Sequence, residues 1–265
     1  MFSRRAYTPI IALIIAAAAV AQNYPVTIHR DDFGVPHIYA SSEELGFYGI
    51  GYAEAEDNLE GLLLMFLEAR GERAAVSGSE FLESDLASRL WMHAEEARVG
   101  FARLSPQLQN NYRYYIGGIQ RYMHEHPADV PKWAPKLEPS DALALSRWSL
   151  WLDYQAGMGL ADCRRGGVQL SGALQTAVDR QRQFGSDEWV VAPWRTADHA
   201  TVVLSDPHGG ISEGSLLFEF GLDAGGMKIA GYAIGAPADS DPQPHGGVGH
   251  DDGIAGRQRP LRNRC

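Results

Sequence analysis

"QFGSDEWVVAP" (residues 183–193) sets a Gly-Ser pair directly before an apolar, β-branched run. Trp189 to Ala192 predicts a strand. Ser186 is then either an ordinary loop residue or a residue whose backbone nitrogen is freed by cutting the Gly185–Ser186 bond. The stretch before it bears on this choice. From Gly157 to Gly172 the chain is rich in glycine, with "CRRGG" at its centre, and reads as an exposed linker. A short helical stretch follows and ends at Phe184. An exposed linker before the bond and a rigid strand after it suit cleavage.

Downstream the pattern stays β. Ala200 to Leu204 predicts a second strand. Leu216, Phe218, Phe220 and Leu222 alternate with Leu217, Glu219 and Gly221, the signature of a half-buried strand. Met227 to Ile234 predicts a fourth. Upstream, Val26–Arg30 and Pro36–Ala40 predict two short strands punctuated by Gly34 and Pro36. Ser41-Ser42-Glu43-Glu44 has a capping-box pattern and opens a helix. Leu59, Leu62, Leu63, Phe66 and Leu67 give that helix one buried face. Further helices are expected over Glu80–Ala97, Pro106–Met123 and Ser140–Tyr154, with a proline-marked loop at Pro127, Pro131 and Pro135. Helices first and strands after predict an α+β fold with antiparallel sheet.

Composition bounds the function. The chain has 265 residues, 45% of them hydrophobic, enough for a packed core. A formal net charge of −10 argues against nonspecific nucleic-acid binding, which needs clustered Lys and Arg. The start is organised for export: Arg4 and Arg5, an apolar run from Ile10 to Val20, and the small-residue signal Ala19-Val20-Ala21. Residues 1–21 read as a signal peptide, so the protein is expected to be periplasmic or secreted. The run is too short for a stable membrane anchor. Two cysteines, Cys163 and Cys265, do not make a disulfide framework.

Glu54, Glu56, Asp57 and Glu60 read as a solvated, salt-bridged helix face rather than a carboxylate cluster for chemistry. His124-Glu125-His126 reads as an exposed helix end, because residues two apart on a helix point to different sides. No glycine-rich phosphate loop and no Cys/His zinc spacing is present, so no cofactor and no metal is expected. Ser186, Asp206 and His208 offer the residue types of a catalytic triad, but the sequence around Ser186 is not G-x-S-x-G. Another chemistry fits better. A serine at a chain's N-terminus carries both nucleophile and base, because an α-amino group titrates near 7.7–8.0 and takes the hydroxyl proton through a water.

Four blocks carry a resemblance: "VTIHRDDFGVPHIYA" (26–40), "LGFYGIGYAEAEDNLEGLLLMFLEARGERAAVSG" (45–78), "GSDEWVVAPWRTA" (185–197) and "LSDPHGG" (204–210). In this order they resemble penicillin acylases and acyl-homoserine-lactone acylases, which are N-terminal-nucleophile hydrolases. The resemblance runs from about residue 25 to about residue 237. It implies helices packed on antiparallel sheets in four layers, incomplete in this chain. It implies a secreted precursor that cuts itself into an α/β heterodimer. Residues 22–163 would be the helical α chain, 164–185 a spacer, and 186–237 the start of the β chain. Ser186 would be the nucleophile on the linear amide of a small N-acyl compound, through an acyl-enzyme. His208 would support it from the "DPH" block, and Gly185 would permit a tight turn before the scissile bond. "EPSDALALSRWSLWLDYQAG" (138–157) resembles the helix that lines the acyl pocket, which puts Leu150 and Tyr154 near pocket positions or in plain core packing. The α-chain glutamate that holds calcium in some relatives is not found.

Three departures qualify these expectations. Asp187 stands where relatives usually have asparagine. The family is roughly three times as long, and its oxyanion-hole asparagine lies beyond this chain; losing one such donor typically costs about 10²–10³ in rate. Residues 238–265 have no periodicity and are rich in Gly, Pro and charge. The expectation is a reading-frame slip near Pro237, since codons can be chosen for 239–253 that read family-like residues in the adjacent frame; the alternative is a genuine disordered tail. The expected function is thus the N-terminal part of a self-processing amidohydrolase, inactive as it stands. The competing expectation is a secreted, non-catalytic remnant or binding protein.

Overall fold

The computed structural model describes residues 25–150, 186–207 and 217–235. Strands β1 (Val26–Arg30) and β2 (Pro36–Ala40) form an antiparallel hairpin with Ile28 opposite Ile38. Helix α1 (Glu43–Arg70) follows at once. Ser42 is its N-cap, and its hydroxyl accepts the Leu45 N–H at 3.3 Å. The helix runs 28 residues with one interruption, at Asn58 (φ −156°, ψ 63°). There the Asn58 side chain accepts the Gly61 N–H at 3.0 Å. Asn58 is thus an N-cap inside the helix: it ends the first half and restarts the second.

Short helix α2 (Ala74–Ser77) is followed by α3 (Leu82–Leu90) and α4 (His93–Phe101). The single helix expected over residues 80–97 is therefore two. Met92 sits between them with φ 54°, left-handed backbone that no glycine or proline announces. Asp85 is buried and accepts the backbone N–H groups of Arg73 and Ala74 at 2.9 and 2.8 Å, which satisfies donors at the start of α2. Helix α5 (Pro106–Glu125) opens on the Ser105 N-cap with proline in its first turn. Residues 139–150 are helical as well. Arg70, at the end of α1, pairs both carboxylate oxygens of Asp141 and donates to the Lys136 carbonyl at 2.8 Å, tying that last helix to the first.

Helices α1 and α5 touch backbone to backbone. A Cβ on Gly51 would lie 2.1 Å from the Tyr115 carbonyl oxygen, and one on Gly118 would lie 2.0 Å from that of Tyr48. One glycine on each helix makes this contact possible. Around it pack Phe47, Ile50, Leu62, Leu63, Phe66, Tyr112, Tyr115, Ile116 and Ile119, all buried.

The sheet beneath α1 has the order β1-β2-β5-β6, where β5 is Phe218–Ala224 and β6 is Met227–Ala233. β5 and β6 pair antiparallel, but β2 pairs β5 in parallel, with Ile38 opposite Leu222. The expected sheet was antiparallel; the one parallel pairing among the described residues joins chain segments from either side of Ser186. The expected alternation in β5 holds: Phe218, Phe220 and Leu222 face the core and Glu219 is exposed. A separate two-stranded sheet is made by β3 (Ser186–Val191) and β4 (Val202–Pro207). The described part is therefore α+β, and none of its helices is long and apolar enough to cross a membrane.

Candidate active site

β3 begins at Ser186, three residues before the apolar run that predicts it. The antiparallel register sets Ser186 opposite Pro207, Asp187 opposite Asp206, Trp189 opposite Leu204 and Val190 opposite Val203. The connection is compact. Pro193–Arg195 forms a 3₁₀ turn, the Thr196 hydroxyl donates to the Ala200 carbonyl at 2.7 Å, and Asp198 accepts the Ala200 N–H at 3.3 Å. Ser186 and Pro207 thus close the open end of the hairpin. One step inside it the backbone register pairs Asp187 with Asp206.

Directly opposite residues share a face, so Trp189, Val191, Val202 and Leu204 line one side and Val190 and Val203 the other. Both sides are open. Trp189 is 65% exposed, Val190 63% and Trp194 78%.

Of the other expected site residues, Gly185, His208 and Tyr154 lie outside the described residues. His208 is the residue that follows Pro207 in the chain. Leu150 ends the described part of the last helix and is 50% exposed. His124-Glu125-His126 does form the end of α5; Glu125 accepts hydrogen bonds from Arg121 and Tyr52, and His126 stacks on Tyr122.

The acidic face of α1 is only partly solvated. Glu56 and Asp57 are exposed and pair with Arg30. Glu54 instead is buried at 4% exposure and accepts the Tyr115 O–H at 2.6 Å. Burial pushes its carboxyl up to about 7, and the charge of Asp57 adds to this. The hydrogen bonds from Tyr115 and from the Gly235 backbone oppose it. Burial also holds the Tyr115 hydroxyl well above its ordinary range, reinforced by Glu54, so it stays a donor. Glu54 borders a cavity of about 270 Å³ that is also lined by Phe33, Asp57, Asn58, Leu62, Phe218 and Glu219. The sequence carries a signal for this: Glu54 lies four residues after Ile50 and eight before Leu62, on the buried row.

Fold and hairpin define an α+β protein whose second sheet opens on a serine. The family model described as penicillin amidase matches residues 25–238, and the chain belongs to that family. Penicillin acylase 2 proenzyme of Pseudomonas sp. (strain SE83) is 26% identical over 69% of this chain and 30% of its own length. Acyl-homoserine lactone acylase PvdQ of Pseudomonas savastanoi pv. phaseolicola is 28% identical over 88% of this chain and 34% of its own. The chain thus spans about a third of the length of these relatives. The solved thermostable penicillin G acylase of Alcaligenes faecalis aligns with a TM-score of 0.45 at 23% identity, covering 60% of this chain and 91% of that one.

Proposed function

We propose that this chain is the amino-terminal part of a secreted, self-processing amidohydrolase, and that Ser186 becomes its nucleophile when the Gly185–Ser186 bond is cut. The observation that carries this reading is the family match across residues 25–238, which spans Ser186, together with the position of Ser186 as the first residue of β3. Cutting consumes one water and leaves a carboxylate on Gly185 and an amine on Ser186. Near pH 8 a useful fraction of that amine is neutral. Through a water it takes the proton of the Ser186 hydroxyl. The oxygen attacks the amide carbonyl of an N-acyl substrate, and the amine leaves with a proton. A second water then hydrolyses the ester and releases the acid. Chain connectivity supports the role of His208 beside the nucleophile, since Pro207 faces Ser186 and His208 is the next residue.

Hydrolysis requires more strands than the hairpin has. A two-stranded ribbon is marginal in water, and continuous apolar runs mark strands that are buried on both faces. The described hairpin alone is therefore expected to be inactive. The substrate class, a penicillin or acyl-homoserine-lactone type of linear amide, follows from what the relatives are named for.

Mass spectrometry of the purified protein tests the reading. The expected result is a fragment that begins at residue 186, absent from the Ser186→Ala variant. A chain that stays intact from Gln22, or a fragment that still begins at residue 186 in Ser186→Ala, supports the non-catalytic remnant instead.

A further inference from the structure

Helix α3 has an inverted amphipathic pattern. The side it turns inward is polar: its buried residues are Asp85 and Ser88. The side it turns outward is apolar: Leu82 is 58% exposed, Leu86 68% and Leu90 77%. At i, i+4 and i+8 these leucines form one row along the helix. The inward side explains why the row stays out. Asp85 accepts the Arg73 and Ala74 N–H groups, Ser84 donates to Glu68 of α1 at 2.6 Å, and Arg89 donates through Nε to the Gly71 carbonyl at 2.7 Å. Turning α3 to bury its leucines would break all of these bonds and strip a buried carboxylate of its donors. The row is therefore fixed as an outward face. Beside it lies a cleft of about 600 Å³, lined by Ala74, Ala75 and Val76 of α2 and by Leu82 and Arg89 of α3. Past the end of α3, Trp91 and Met92 continue the apolar surface, each close to half exposed.

We propose that this face is the contact between two copies of the chain, related by a two-fold axis across α3, with the leucine row of each copy seated in the cleft between α2 and α3 of the other. A two-fold contact needs one patch that is complementary to itself. Here ridge and cleft lie side by side on one face, so each copy offers what the other lacks, and the small side chains of Ala74 and Ala75 leave room for a leucine. The extent also fits. Val76, Leu82, Leu86, Leu90, Trp91 and Met92 together present roughly 600 Å² of surface, at the upper end of what one soluble chain leaves open and near the ~800 Å² that each partner brings to a stable interface. The row itself carries no charge. Glu83 and Arg89 are exposed beside it, where the polar rim of an interface belongs.

The contact does not depend on cleavage at Ser186, and its test uses the whole chain. Sedimentation velocity over a range of concentrations should show a dimer that dissociates to monomer on dilution. Leu86→Glu, in the middle of the row, sets two like charges against each other near the two-fold axis and should raise the dissociation constant by about 100-fold. Val190→Glu makes the same kind of change on the exposed β3–β4 ribbon and should leave the dimer as it is. The proposal is overturned if the chain is a monomer at every concentration, if Leu86→Glu dimerises as the wild type does, or if Val190→Glu abolishes the dimer. Should Leu86→Glu fail to fold, Leu90→Glu, at the most exposed position of the row, decides in its place.

Discussion

The α1-centred body and the β3–β4 hairpin both contain apolar runs, yet those runs end in opposite states. In the body, Phe66, Leu62 and Tyr115 are closed in by two helices and a sheet. In the hairpin, Trp189, Val190 and Leu204 stand open to solvent. The body's strands come from both sides of Ser186, and the parallel β2–β5 pairing gives its sheet four strands and a covering helix. Among the described residues the hairpin has two strands and no covering element. The difference shows that similar apolar runs are closed in where two helices and a four-stranded sheet meet and stay exposed in an isolated ribbon. The exposed ribbon is the part that carries the proposed nucleophile.

The largest effect that tests this contrast is a pair of truncations. Phe66→Ala should cost about 3–5 kcal/mol in chemical denaturation, because Phe66 is fully buried. Trp189→Ala in the same chain should change stability by less than about 0.5 kcal/mol. An equal cost at both would show that the hairpin is covered after all.

The next effect sharpens the picture of the body. Glu54 titrates higher in the folded state than in the unfolded one, so its favourable contribution is complete below pH 4.5 and is lost as pH rises through about 7. The loss is of order 3 kcal/mol. Denaturation midpoints measured from pH 4.5 to 8 should fall in the wild type and stay level in Glu54→Gln.

Asn58→Ala should cost about 1 kcal/mol, the usual worth of an N-cap, because the Gly61 N–H loses its acceptor. A stability gain would mean that α1 prefers to run straight. The smallest effect belongs to the hairpin. Asp187→Asn relieves the like-charge pairing with Asp206 and should slow exchange of the Val190 amide about two- to fivefold at pH 7. No change would mean that this pairing in the register does not weaken the ribbon.

Much of the fold was legible because the signals are local. Val26–Arg30 and Pro36–Ala40 are bounded by turn residues, α5 starts on Ser105-Pro106, and β5 alternates cleanly. The break at Met92 was hidden, since a methionine in left-handed backbone carries no sequence mark. The parallel β2–β5 pairing was hidden because it joins residues about 180 apart in the chain. Asn58 and Gly61 could have been read together as a cap, but a continuous apolar row masks the interruption. At the site, Ser186 and its strand were readable from "GSDEWVV". Glu54 was grouped with its charged neighbours, although its spacing from Ile50 and Leu62 puts it inside. A charge run describes a solvated face only where the helical period agrees.

Segment-resolved hydrogen exchange on the whole chain tests the division between a closed body and an exposed hairpin most directly. The account predicts strong protection over 47–67, 112–122 and 218–233, and exchange near the unprotected rate over 186–207. Protection of 186–207 equal to that of α1 would contradict it.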